Sequence, residues 1–232
     1  MQQLTDIVAD FVRQKHAAGA GWYAWSFKPE KVPSGVAGIG ATGADWYAHN
    51  VALKHGLHAA WLAQPERRAE LERYYVVVWG GVRGNKPHTL AAYHDSDART
   101  NIARGEKGIA SWSKALCVRN PVEFAIFDAR VSSSLNALQI IHRDRIAAAQ
   151  RFPLLASQNR KVAQGNALLR RYFQAQGWPL VDKGFYAHYL ALCKAVGERV
   201  GAPGAPLPIY AVEMALFAHT EALLAAAFLE AA

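Results

Sequence analysis

The chain has 232 residues, 52% of them hydrophobic, enough for a buried core in one large domain or two intimate lobes. Its net charge of +8, from 26 basic and 18 acidic side chains, points to an acidic partner, and two cysteines, Cys117 and Cys193, exclude a secreted disulfide framework. With no cationic, apolar leader at the start and no apolar stretch longer than Ala222 to Leu229, the expectation is a cytoplasmic protein without a membrane partner.

In chain order, Leu4, Ile7, Val8, Phe11 and Val12 recur at helical spacing and predict an amphipathic helix over residues 3–18. A loop rich in glycine and proline follows to about Gly43, opening with Trp22, Tyr23, Trp25 and Phe27, aromatic groups best read as packing over a core. Helical character resumes over 44–62, and Pro65 opens another helix. Its apolar end, Tyr74 to Trp79, reads either as a buried strand or as helix; the absence of a breaker after ERRAELER favours a helix running to Gly80-Gly81. Further helices are expected at 88–104, 108–117, 129–149, 158–176, 183–200 and 208–230. The fold class is therefore mainly α, a helical bundle of one domain over residues 1–232 with room for two lobes, and no repeat or low-complexity linker divides it.

Several motifs lack the surroundings their chemistry needs. Gly38 to Gly43 satisfies G-x-G-x-x-G, but no buried strand precedes it and no acidic residue stands at the usual distance beyond, so a flexible glycine loop is the better account. His49, His55 and His58 share helical spacing without an obvious further ligand for zinc. Asp95 and Asp97 are either a divalent-ion pair or a helix-interrupting surface pair, and Ser132 to Ser134 lack a nucleophile elbow. No metal and no cofactor is called for.

The stretch FAIFDARVSSSL, from Phe124 to Leu135, places Asp128 where an apolar run becomes a helix. An aspartate there caps the helix by accepting an amide hydrogen bond, and the same charge is available for chemistry. Upstream, GIASWSKALCVRNP puts Lys114 on the preceding helix, and Asn120-Pro121 breaks the chain between the two. The charge map adds to this. Residues 99–119 carry a net +4 and residues 142–171 a net +6, whereas 1–98, 120–141 and 172–232 come to +1, -1 and -2. Positive charge therefore brackets Asp128 on both sides in sequence, the footprint expected for phosphate contact.

That order of lysine, turn and aspartate resembles the helix-hairpin-helix DNA glycosylases. FAIFDARV is similar to the family's apolar segment ending in its catalytic aspartate, and SWSKAL to the lysine-bearing start of the second hairpin helix, so the resemblance covers about residues 105–142. The chain departs from the family in its hairpin, where Gly105-Glu106-Lys107-Gly108-Ile109 replaces Gly-hydrophobic-Gly, and in a short lysine-to-aspartate spacing of 14 residues.

The resemblance implies a two-lobed bundle with a helix-hairpin-helix element, acting as a monomer on double-stranded DNA that contains a modified base. Asp128 and Lys114 would be its catalytic residues. Contacts to DNA would come from Lys107, Gly108, Ser111, Trp112, Ser113 and Arg119 at the hairpin, and from Arg130, Arg143 and Arg145 beyond it. Trp112 is either a stacking group or an anchor, with the anchor the default. Lys114 offers a Schiff-base and lyase route, but also reads as a phosphate contact or a partner for Asp128. Trp79, Arg83 and Asn85 are further candidates for a base pocket. Two rivals stand beside this reading: a non-catalytic basic DNA- or RNA-binding protein, in which Asp128 is only a cap, and a metal-dependent nuclease using Asp95, Asp97 and Asp128.

Overall fold

Eleven α-helices are built from these sequences in the computed structural model, which describes residues 2–19, 21–38 and 45–230. They are α1 (Gln2–Ala17), α2 (Trp46–Ala63), α3 (Arg68–Arg73), α4 (Pro87–Asp95), α5 (Ala98–Ala103), α6 (Ile109–Arg119), α7 (Ala129–Ile141), α8 (Arg160–Gln176), α9 (Phe185–Val200), α10 (Ile209–Ala218) and α11 (Thr220–Glu230). Among the described residues there is no strand, only the isolated bridges Arg151 to Leu180 and Ala202 to Ala205. The mainly helical expectation holds. No single helix among the described residues is long and apolar enough to cross a membrane.

Helix starts follow ordinary capping chemistry. Asp45, Asp97, Asp128 and Asn159 each accept an amide hydrogen bond from the first turn of α2, α5, α7 and α8, and Pro87 opens α4 where its missing N–H costs nothing. Three long helices expected from the sequence are interrupted, each for a visible reason. The 88–104 helix divides because Asp97 caps a new start at Thr100 N, 2.7 Å away. The 208–230 helix bends by 59° between α10 and α11. Thr220 at that bend donates its hydroxyl to carbonyls of the preceding turn, and such back-bonding bends helices. The 129–149 helix stops at Ile141, where the chain turns into a short 3-10 helix at Arg143–Arg145, and Gln150 and Phe152 further on are bonded to Gln139 and Asn136 of α7.

The YYVVVW segment is helical, as its lack of a breaker predicts, but wider than an α-helix. Residues Tyr74–Trp79 form a π-helical turn closed by the Gly80 amide donating to Tyr75 O, 3.0 Å away. The widened turn stacks Tyr75 on Trp79, with ring centroids 4.2 Å apart.

The chain divides into two compact units: Met1–Ala18 with Phe127–Ala232, and Gly19–Ile126. The division falls between Ile126 and Phe127, inside the 105–142 segment, so α6 belongs to one unit and α7 to the other. Each is the central helix of its own. In the Gly19–Ile126 unit, α6 packs against α2, α3, α4 and α5, and it is buried from Ser111 to Val118 without a break. In the other unit α7 packs against α1, α8, α10 and α11 and is buried from Val131 to Ile140. A helix enclosed on every side has no polar face, so its hydrophilic residues must find partners inside.

Candidate functional site

The turn between α5 and α6 is a tight one built on two glycines. Gly105 (φ 59°) and Gly108 (φ 73°) both take the left-handed conformation. At Gly108 a side chain is excluded twice over, because a Cβ there would collide with the Tyr93 hydroxyl. Gly108 O then starts α6 by accepting from Ser111 N at 2.8 Å and Trp112 N at 3.0 Å. Lys107 is exposed on this turn.

One turn into α6, Lys114 is buried, with 3% of its surface exposed. Its ammonium donates to Ala110 O at 2.8 Å, one turn back along the same helix. Its aliphatic stem packs on Gly80, where any side chain would displace the lysine's Cδ and Cε. The glycine after the apolar helix, which in the sequence looked only like punctuation, is thus what leaves room for Lys114.

After α6, Asn120 turns the chain: its carbonyl accepts from Phe124 N at 3.0 Å and its side chain from Val122 N at 3.2 Å. The segment then runs extended into Asp128, whose backbone is still extended (φ -132°, ψ -173°) as α7 begins. Asp128 Oδ1 accepts from Arg130 N at 2.9 Å and Val131 N at 3.2 Å. Two amides thereby fix the carboxylate at the amino-terminal end of α7. Asp128 and Lys114 belong to different units.

The remaining residues expected at DNA are placed unevenly. Trp112 is fully buried and anchors α6, offering no face for a base. Ser111 and Ser113 are buried as well; Ser111 Oγ accepts from Asn85 Nδ2 at 2.7 Å and Ser113 Oγ donates to Ile109 O at 2.6 Å. Arg119 is consumed internally. It forms a two-pronged pair with Glu72 (2.9 and 3.2 Å) and donates to the carbonyls of Ser96, Tyr93 and His94. Arg104, from the same basic block, hydrogen-bonds Asn101 and Ser96 and lies over Tyr93. These assignments to DNA are therefore corrected: a high count of basic residues over 99–119 reflects structural arginines as much as surface charge, leaving Arg99 and Lys107 exposed.

In the other unit, Arg130 pairs with Glu221 at 3.2 Å and lies over Phe217. Arg143 and Arg145 are exposed, the latter 3.2 Å from Asp10. Arg160, Lys161, Arg170 and Arg171 all project from α8 with exposed side chains. The second basic block thus remains a surface.

Other candidates resolve locally. Beyond Gly38, the glycine motif lies outside the described residues, since residues 39–44 are not described. Trp79 is buried and donates its indole N–H to Asn50 at 2.8 Å, which removes it from any base pocket. Asp97 serves as the α5 cap, and among the described residues no group of three His, Cys, Asp or Glu side chains could hold a metal. His58 sits 3.2 Å from Val118 O. Burial lowers the pKa of His55, helped by the nearby His58 and Lys54. Ser132, Ser133 and Ser134 all donate to backbone carbonyls, those of Pro153, Ala129 and Leu216. A hydroxyl so engaged is a packing group.

Neither a family model, nor a curated protein, nor a solved structure matches this chain.

Proposed function

We propose that this chain is a DNA glycosylase of the helix-hairpin-helix type, a cytoplasmic monomer that flips a modified base out of double-stranded DNA and cleaves its N-glycosidic bond. The observation that carries the reading is the succession α5, a two-glycine turn, α6 with a buried lysine, and an extended segment delivering Asp128 to the start of α7. The exposed cations of residues 142–171 support it as a phosphate-binding face.

Breaking the bond between base and deoxyribose develops positive charge on the sugar, and a carboxylate held near C1′ stabilises that charge. Asp128 suits the role because the α7 amides fix its position before the reaction, so little reorganisation is required. Water adds to C1′ and gives its proton to Asp128, while the base departs with the electron pair of the broken bond and is protonated. Extrusion of the base costs a few kcal/mol, less for a damaged or badly paired one, which contributes selectivity. Lys114 provides a second route in which its amine attacks C1′ as the base departs with the electron pair of the glycosidic bond, the sugar ring opens to a Schiff base, and loss of a C2′ proton expels the 3′ phosphate to cleave the strand. An ammonium cannot attack, so that route requires Lys114 to lose its proton and turn away from Ala110 O.

Asp128→Asn tests the reading, because asparagine caps nearly as well and carries no charge. Base release from oligonucleotides bearing modified bases should fall about 100-fold or more, with the helical circular dichroism unchanged. Undiminished release in Asp128→Asn would refute the catalytic assignment. Borohydride should trap a covalent DNA adduct in the parent chain and not in Lys114→Gln if the lyase route operates. The rival supported by a specific observation is a non-catalytic DNA- or RNA-binding protein, since Asp128 is already satisfied as a cap. It requires Asp128→Asn and the parent chain to bind duplex DNA alike and neither to release base.

A further inference from the structure

Within the Gly19–Ile126 unit, α3 with its π-helical turn, α4 and α6 enclose a cavity of about 340 Å³ that takes in neither Lys114 nor Asp128. That volume lies within the usual range for small-molecule sites. The walls are apolar: Val76 and Val77 on the π turn, Leu90 and Ala91 on α4, and Ala115 on α6. Such walls offer apolar contact to a heteroaromatic ring.

The polar groups at this cavity are strongly biased in sign. Arg73 and Arg83 both line it with exposed side chains, and neither guanidinium makes an ion pair among the described residues. Glu72 is the one acidic residue of the lining, and its charge is already met. Arg119 neutralises it through two bonds, Trp61 Nε1 donates to it at 2.9 Å, and His94 stands 3.2 Å away. A ligand therefore encounters two uncompensated cations and a carboxylate spoken for elsewhere. Asn85 also lines the cavity, with its amide nitrogen pinned to Ser111 Oγ at 2.7 Å, which holds the amide in place to hydrogen-bond a ring edge.

We propose that this cavity binds a nucleoside monophosphate, with the phosphate on Arg73 and Arg83, the base between Val77 and Leu90, and Asn85 on the base edge. Two arginines at the mouth suit a phosphate, whose oxygens accept from the guanidinium fork. An apolar slot with one fixed amide suits a heteroaromatic ring. The same chemistry is offered by a free nucleotide and by one nucleotide of a strand. Asp128 is not part of the lining, and the site does not depend on base excision.

The test is calorimetric titration of the full chain with deoxynucleoside monophosphates, inorganic phosphate and a short single-stranded oligonucleotide. A mononucleotide should bind at least about tenfold more tightly than phosphate, because the apolar walls add to the ionic contact. Arg73→Gln with Arg83→Gln should weaken binding at least about tenfold, and Val77→Trp, which fills the slot from a half-buried wall position, should block it. Thermal melting of each variant checks that it is folded; the arginine pair, being exposed, keeps the test alive should Val77→Trp not fold. Competition of oligonucleotide by mononucleotide assigns the site to a strand, and mononucleotide binding alone assigns it to a free nucleotide; both support the proposal. It is overturned if no mononucleotide binds at millimolar concentration, or if binding survives undiminished in the folded arginine or slot variants. Asp128→Asn should leave this binding unchanged, so loss of the glycosylase reading would not touch it.

Discussion

The two units bury polar groups of different kinds. In the Gly19–Ile126 unit charged groups join the neutral Asn50, Asn101, Ser111 and Ser113: Glu72 on Arg119, Lys54 against Tyr75 and Trp79, and Lys114 along α6. In the other unit they are mostly neutral, with Glu213 the exception. Ser132, Ser133, Ser134, Asn136 and Gln139 line α7, and Asn166 faces them from α8. The two solutions differ in what they hold. Two of these charges tie separate helices together, Lys54 through the Tyr75 hydroxyl and Glu72 through Arg119, which alone spans α3, α4 and the turn before α5, whereas Lys114 bonds within α6. Amides in the second act in pairs on the backbone. Asn136 donates to Phe152 O at 3.1 Å and accepts from Phe152 N at 2.9 Å, while Gln139 does the same to Gln150 at 2.9 and 3.2 Å. Two side chains thereby stand in for a neighbouring strand along Gln150 to Phe152, whose backbone groups they satisfy.

The difference predicts a ranking of costs. A buried charge left without its partner is penalised more heavily than a buried neutral group. Arg119→Ala strands the Glu72 carboxylate, whose side chain is 5% exposed, and should lower unfolding free energy by about 3–5 kcal/mol in urea denaturation. Glu72→Gln in the same background should recover part of the loss by removing the stranded charge. No recovery would mean that Arg119 acts through its carbonyl contacts instead.

Asn136→Ala makes the matching test on the neutral side. It leaves Phe152 N and O without their partner inside the protein and should cost about 1–3 kcal/mol. If hydrogen exchange at the Phe152 amide stayed as slow as in the parent chain, the strand-mimicking role of α7 would be wrong. A loss equal to that of Arg119→Ala would erase the contrast between the units.

Much of the fold is legible in the sequence because its helices obey local rules: apolar spacing in α1 and the cap at Asp128. The π turn over Tyr74–Trp79 is not legible, since its width follows from closure at Gly80, a choice no spacing reveals. The course of Gln150 to Phe152 is hidden as well, because it depends on Asn136 and Gln139 gripping residues 11 to 16 positions away. At the candidate site, the cap by Asp128 and the turn before α6 could be anticipated from residue type alone. The fates of Arg104 and Arg119 could not, because a sequence counts charge without showing whether a guanidinium faces water or a buried glutamate.

The smallest effect concerns two histidines in the unit that buries mostly neutral groups. His16 on α1 and His219 between α10 and α11 both have their pKa lowered, chiefly by burial, with Lys15 adding repulsion at His219 and a backbone contact to Ala211 partly opposing the shift at His16. A histidine whose folded pKa lies below its unfolded value binds fewer protons in the native state. Stability is then fully retained above the unfolded pKa and declines as pH falls through that value towards the folded one, below which it levels off. The decline should be visible between about pH 7 and pH 5 as a lower urea midpoint. Replacing both with glutamine, which stays neutral, should flatten this limb while leaving the Arg119→Ala loss as large as before. An acid limb that persists unchanged in the double variant would assign it to carboxylates such as Glu221, whose pKa is lowered by hydrogen bonding to Lys161 and Asn159 and by the nearby Arg130. Those groups titrate lower, so the two origins separate on the pH axis.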